Sequence, residues 1–219
     1  MKYFSKLPTV ITKDANNNLL ALKNLLVRTS LLPQLADSPL LYYKYAIQDG
    51  DTPETVAFKY YGDQYRYWIV LHGNGSLNPQ WDWTLSNQQF QAYLLDKYTS
   101  DTATSLGIPI SSVTPSHVLA YTSGTVHHYE KVITSMDGDS QTTAIKNVEI
   151  DLDTYNALVP RTQITNLSDG STVNYSVSGN IISIYDYEYA INESKREINL
   201  IDKKYVSTME TQFEKLMGS

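Results

Sequence analysis

The residues with chemistry to offer in this chain are few, and their spacing does not combine them. His127 and His128 are adjacent in a stretch that reads as a strand, so their side chains should point to opposite faces and share no metal. His72 and His117 have neither a carboxylate nor a second histidine at ligand spacing. Asp49-Gly50-Asp51 and Asp137-Gly138-Asp139 open like calcium loops, and Asp151 with Asp153 pairs two carboxylates. None of the three continues with the further oxygen ligands and distal Glu that a calcium loop needs. There is no Cys, which removes disulfides, thiol catalysis and Cys-based metal sites. No Gly-rich phosphate loop, Gly-x-Lys-Ser/Thr element or serine elbow is present. Glu54 stands in the first turn of a helix, which explains it better than general acid chemistry. The expectation is no enzyme, no cofactor and no metal.

Composition narrows the classes further. The 219 residues carry a net charge of −6, and the cations, Lys13, Lys23 and Arg28 among them, are scattered. A broad basic surface for nucleic acid is not expected. The opening MKYFSKLPTVITKD has no uninterrupted apolar core and does not read as a signal peptide. The leucine-rich run over 19–35 is broken by Lys23, Arg28 and Pro33 and is too short to span a bilayer, so no membrane is implied. Eighteen tyrosines are the anomaly. Tyrosine fills half-buried strand positions and also serves protein contacts, through a large apolar body with a polar tip. Tyr60, Tyr61, Tyr65, Tyr67 and Trp68 are so dense that some must face outward.

The clearest local signals lie in residues 42–98. An alternating strand places Tyr43, Tyr45 and Ile47 against Lys44 and Gln48 and stops at Asp49-Gly50-Asp51. Thr52 then caps a helix, with Pro53 at its first position and Glu54 in its first turn, where a missing amide costs nothing and a carboxylate suits the dipole. Val56, Ala57 and Tyr60 supply the apolar face, and Gly62 ends the helix. Asp63 caps a second helix with Trp68, Leu71 and Tyr65 inward, closed by Gly73-Asn74. Asn78-Pro79-Gln80-Trp81-Asp82-Trp83 follows, and Ser86 with Gln89 forms a capping box for a third helix. Its apolar positions are Phe90, Tyr93, Leu94, the Lys97 stem and Tyr98.

The order strand, Gly-Asp-Thr turn, helix, helix, Asn resembles a LysM module. The short second strand with which such a module ends is missing after Asn74. With "NPQWDWTLS", "FQAYLLDKY", "VHHYEK" and "YEYAINESKREINLI", the chain resembles the LysM-containing baseplate wedge proteins of contractile-tailed phages, the T-even wedge protein 53 group. That resemblance implies a structural virion protein of the tail baseplate, made in the host cytoplasm. Its partners would be other wedge subunits and tail proteins. The alternative is an N-acetylglucosamine-containing glycan in a LysM groove between Gly50–Glu54 (Gly50, Asp51, Thr52, Pro53, Glu54) and residues 72–77, Asn74 included. The departure after Asn74 counts against it, because the Trp81/Trp83 segment and the third helix could cover such a groove, and a lone module gains no avidity.

The expected fold is α+β: an N-terminal arm (1–41), the LysM-like βαα module with an added helix (42–98), a Ser/Thr-rich linker or long loop (99–125), a β-rich region (126–201) and a terminal helix (202–219). The arm starts extended and continues as a helix over 19–27. The β-rich region has strands over 126–133 and 143–150, a turn at 137–139 and a helical turn within 152–159. A hairpin turns at Ser178-Gly179-Asn180, and 187–191 and 197–201 are extended. The terminal helix presents Val206, Met209, Phe213 and Leu216 as a narrow stripe suited to docking on a partner or on the chain's own sheet. Beyond the groove residues, the interface candidates are Tyr61, Tyr67, Trp81, Trp83, Met209, Phe213 and Leu216.

Overall fold

A computed structural model describes residues 2–27, 29, 39–76, 78–137, 143–166 and 172–217, with backbone alone for Pro39, Pro79 and Gln80. The Leu-rich run beyond residue 29 and the Gly138-Asp139 part of the expected turn lie outside the described residues. The chain is α+β and divides into two compact units, residues 1–89 with 192–219 and residues 90–191. No helix among the described residues is long and apolar enough to cross a membrane.

After a 3-10 turn (Tyr3–Lys6), the first unit forms a hairpin, β1 (Thr9–Lys13) against β2 (Leu19–Lys23). The expected helix over 19–27 is therefore corrected. The Asp14 carboxylate accepts from the amides of Asn16 and Asn18, both at 2.8 Å, and Asn17 takes the left-handed conformation at φ 67°. This turn chemistry reverses the chain and overrides the helical preference of leucine. Next come β3 (Tyr42–Ala46), α1 (Pro53–Tyr61) and α2 (Tyr67–Gly73), then the short α3 (Pro79–Asp82). The unit is completed by β8 (Glu197–Ile201) and α8 (Val206–Met217). Strand β8 pairs antiparallel with β3, Tyr42 opposite Ile201 and Ala46 opposite Glu197. The order strand, helix, helix, strand is thus closed by a strand from far along the chain.

Leu7, Ile47, Val56, Ala57, Tyr61, Trp68, Ile69, Val70, Ile198, Leu200, Ile201, Val206, Phe213 and Met217 form the core of this unit. Burying each large side chain contributes about 1.5–3 kcal/mol. Three readings shift here. Tyr61 rather than Tyr60 is the aromatic of the inner face of α1, and its hydroxyl donates to the Ile201 carbonyl at 2.9 Å. Leu71 is only half-buried and Tyr65 is exposed. On α8, Met217 takes the inner position expected of Leu216, which is 72% exposed; the 3.6-residue period places 206, 213 and 217 on one side.

The second unit contains a four-stranded antiparallel sheet in the order β5-β4-β7-β6, with β4 Val126–Asp137, β5 Thr143–Ile150, β6 Arg161–Asn166 and β7 Thr172–Ser183. Its helices are most of α4 (Asn87–Leu106), then α5 (Pro115–Gly124), α6 (Leu152–Asn156) and most of α7 (Ile184–Ser194). The linker expected at 99–125 is largely helical. Thr102 and Ala103 continue the buried stripe of Phe90, Leu94 and Tyr98, while the Thr99 and Thr104 hydroxyls donate to carbonyls four residues back. Thr114 and His117 cap α5 reciprocally, with Pro115 at its first position.

The expected Gly-Asn hairpin is instead one continuous strand, β7. A Cβ on Gly179 would stand 2.6 Å from the Tyr155 ring, so this glycine makes room for a ring rather than a turn. The extended reading of 187–191 also fails. Ser183 and Asp186 form an N-terminal capping box for α7, and Glu188 and Asn192, four apart, are both buried. In the second unit Glu188 accepts from Lys97 at 2.6 Å and from the hydroxyls of Tyr98 and Tyr93 at 2.6 and 3.0 Å. Burial raises its carboxyl, but these donors outweigh burial and leave it below its usual value. Burial and the bond to Glu188 push the Tyr98 hydroxyl up to about 12.

The excursion between Gln89 and Asn192 starts and ends on neighbouring backbone of the first unit, because the Leu85 amide donates to the Asn192 side chain at 2.7 Å. Replacing residues 90–191 with about six Gly/Ser residues, on the order of 20 Å of reach, should therefore preserve cooperative thermal unfolding of the first unit, read by tryptophan fluorescence. Deleting residues 206–219 should abolish it, because Val206, Phe213 and Met217 are core. Cooperative unfolding after the terminal deletion would contradict this packing.

Candidate functional site

The Asp49-Gly50-Asp51 turn organises one side of a cleft in the first unit. Gly50 has φ 80°, a conformation that costs a side chain strain even though nothing crowds its Cβ position. The turn aims the Asp51 carboxylate back at its own strand and helix, where it accepts from the Tyr45 hydroxyl at 2.8 Å, the Gln48 amide at 3.1 Å and Lys59 at 2.6 Å. Burial pushes the Asp51 carboxyl up, but these donors outweigh it and hold the group below its usual value. Thr52 and Thr55 cap α1 reciprocally, at 3.3 Å (Thr55 amide to Thr52 Oγ1) and 2.8 Å (Thr52 amide to Thr55 Oγ1).

A cleft of about 330 Å³ lies against this turn, lined by residues 48–54, Tyr67, Leu71, Trp83–Ser86, Gln89 and Arg196. A second hollow of about 500 Å³ is lined by Val70, Leu71, Asn74–Ser76, Asn78, Asp82, Trp83, Lys195 and Ile198. Leu71 and Trp83 line both. The Trp83 indole N–H donates to the Asp51 carbonyl at 2.8 Å, and the Asn87 amide donates to the Asp49 carboxylate at 2.9 Å. The segment after α3 is thereby tied to the turn, and the space between the turn and the end of α2 is divided at Trp83.

Of the residues singled out in the sequence, Gly50, Asp51, Thr52, Pro53, Glu54, Tyr67 and Trp83 come together on the first cleft. Asn74 does not reach it. Its side chain donates to the carbonyls of Val70 and Asn199 at 2.7 and 2.9 Å and accepts from the Asn199 amide at 2.7 Å, so it clips α2 to β8. Tyr61 and Phe213 are core and Met209 packs partly against it, which removes Tyr61 and Phe213 as contacts for another chain. Trp81 and Leu216 are exposed at 66% and 72%. Sequence reasoning missed Arg196, Thr84 and Gln89. Arg196 forms a two-pronged pair with Glu193 at 2.7 and 2.6 Å and donates to the Ile47 carbonyl at 3.0 Å. The Glu193/Arg196 spacing of three was a readable signal for the pair, though not for its place at the cleft.

The cleft offers aromatic walls and the bonded carboxylates of Asp49 and Asp51, and no nucleophile stands beside a base. Among the described residues no three potential ligands gather to hold a metal. The two histidines expected on opposite faces in fact meet, Nδ1 to Nδ1 at 2.8 Å, because the register of β4 slips between Val126 and His128. His127 stacks on Tyr187 at 3.8 Å. His72 is held by the Trp68 carbonyl at 2.8 Å and by Thr29 Oγ1 at 2.7 Å, and burial lowers its proton affinity.

Residues 32–103 match the family model of base plate wedge protein 53. The matched stretch contains β3, α1, α2, α3 and most of α4, and with them the first cleft apart from Arg196. It covers 72 of the 219 residues. No curated protein matches the chain. The match supports a structural role in a phage baseplate.

Two measurements test the turn. Thr52→Ala should cost about 1 kcal/mol in thermal denaturation, whereas Gly50→Val should cost more, about 1–3 kcal/mol, from the forced conformation. Asp51 contributes stability in full above the unfolded carboxylate value of 3.8, and loses it as pH falls through the lower folded value. The stability gap between wild type and Asp51→Asn should therefore be widest near neutrality and narrow below about pH 4. A gap that does not change with pH would mean that the carboxylate is not held as described.

Proposed function

We propose that this chain is a structural subunit of the baseplate wedge of a contractile-tailed phage, joining neighbouring wedge proteins during tail assembly. The match of residues 32–103 to base plate wedge protein 53 carries the reading. On it, the chain resides in the tail baseplate of the virion, is made in the host cytoplasm and contacts other wedge subunits and tail proteins. We read the first unit as a LysM-like module in which β8 takes the place of the missing second strand, with residues 90–191 inserted before it. Exposed Trp81 and Leu216 are its interface candidates, together with the rim of the cleft at Tyr67.

What speaks against a glycan groove is the Trp83 indole bound to Asp51, with Asn74 committed to β8. Trp83 divides the space into a cleft of about 330 Å³ and a hollow of about 500 Å³, which breaks the continuous groove that an extended sugar chain needs. Mass spectrometry of purified tails should find the chain, and cells lacking it should assemble no normal contractile tails. Calorimetry with chitin oligomers and pull-down on peptidoglycan should show no saturable binding. Binding at about micromolar Kd that is lost in Asp51→Asn would favour the glycan reading instead.

A further inference from the structure

Within the second unit, four side chains form a continuous hydrogen-bonded run that starts at the surface. His127 and His128 meet Nδ1 to Nδ1 at 2.8 Å, His128 Nε2 stands 3.4 Å from Glu130 Oε1, and Asn147 donates to Glu130 Oε2 at 3.0 Å. The slipped register at the start of β4 brings the two adjacent rings together, which plain alternation along a strand would keep apart. His127 is exposed, whereas the side chains of His128 and Glu130 are only 13% and 17% exposed. The His127 ring lies nearly parallel to that of Tyr187 on α7, with 11° between the planes and 3.8 Å between the centroids. Two residues before it in the chain, the Thr125 carbonyl accepts from the Ile184 amide of α7 at 3.0 Å. The run therefore ties the first residues of β4 to the first turn of α7.

Counting protons shows what this run can tolerate. A neutral imidazole carries one N–H, and a carboxylate only accepts. His128 Nε2 faces the Glu130 carboxylate and so carries the hydrogen, which leaves its Nδ1 as a lone pair. His127 then supplies the one proton between the rings from its own Nδ1, and its Nε2 is the ring nitrogen left open. A first added proton settles at that open nitrogen and breaks nothing. A second one must enter between two Nδ1 atoms that already share a proton, and two N–H groups cannot face each other across 2.8 Å. The charged neighbours are Glu130 on the same strand, Glu149 opposite it on β5, and Asp186 on α7, which is bonded to Ser183. Tyr187 adds a ring face, β7 contributes the uncharged Ile182 and Ser183, and Lys131 alternates to the other face of β4. Protonating any of these carboxylates leaves the contact between the rings possible; only a second proton on the pair forbids it. We propose that His127 and His128 form an acid-sensitive latch, closed while the rings share one Nδ1 proton and opened when both are charged, which frees the start of α7 from the start of β4. The latch belongs to the second unit and holds whatever partners the chain has in a tail.

The test uses the purified full chain with isotope-labelled histidine nitrogens, at pH 8 and pH 5, on either side of the ordinary imidazole value of about 6.5. At pH 8 nuclear magnetic resonance should show a coupling between the two Nδ1 atoms across the shared proton, with His128 protonated at Nε2. At pH 5 that coupling should be gone. Hydrogen exchange of the Ile184 amide, corrected for its intrinsic pH dependence, should quicken about fivefold or more over the same interval. In His127→Phe, whose ring can keep its place on Tyr187 but takes no proton, the quickening should be lost. A pH 8 spectrum without the coupling, a coupling that persists at pH 5, or the same exchange behaviour in wild type and His127→Phe would overturn the proposal.

Discussion

The first unit depends on one pairing, β3 with β8, which joins Tyr42–Ala46 to Glu197–Ile201 across the length of an inserted unit. Without β8, Ile198, Leu200 and Ile201 leave the core, Tyr61 loses the carbonyl that its hydroxyl meets, and Asn74 loses the backbone it clips. The loop-closure entropy of such a distant pairing grows only logarithmically with the intervening length, so a large insertion is thermodynamically tolerable once both ends are anchored. The anchors are Thr84 and Leu85 against Asn192, at 3.2 and 2.7 Å. The Asn192 side chain both accepts from and donates to Leu85 backbone, so these two stretches of chain are held together within the first unit.

The same economy shapes the turn at Gly50. One carboxylate, Asp51, ends the strand, receives the α1 lysine and leaves its carbonyl for Trp83. Lys59 is half exposed, so solvent screening leaves its ion pair alone a small contribution. The value of the cluster lies in shape, because the turn, the start of α1 and the segment after α3 are set together. A polar ligand reaching for the Asp51 carboxylate would have to break the bonds it already makes to Tyr45, Gln48 and Lys59.

Exposure is distributed unevenly over the chain. The first unit has a closed core and displays an apolar ribbon beside it, while Trp81 and Leu216 stand outward on short or terminal helices. Single exposed apolar side chains are ordinary; Val10, Leu20 and Leu22 gathered on one exposed face of a two-stranded ribbon are less so.

Local chemistry by itself determined the elements with strong punctuation. Thr52-Pro53 with Gly62 bounded α1, Asp63 opened the turn into α2, Ser86 with Gln89 opened α4, and Trp68 was inward by period alone. The order of those motifs also pointed to the baseplate family. Elsewhere, tertiary structure decided. Tyr185, Tyr187 and Tyr189 alternate like a strand, yet buried Glu188 finds donors on α4 within the second unit, and only a helix presents it to them. Gly179 reads as a turn until Tyr155 is seen to need its space. The leucines after Asp14 favour a helix until the turn pairs them with β1. The closing strand β8 could be read as a strand, but no local signal names β3 as its partner, because pairing across an insertion is set by which apolar faces complete a common core.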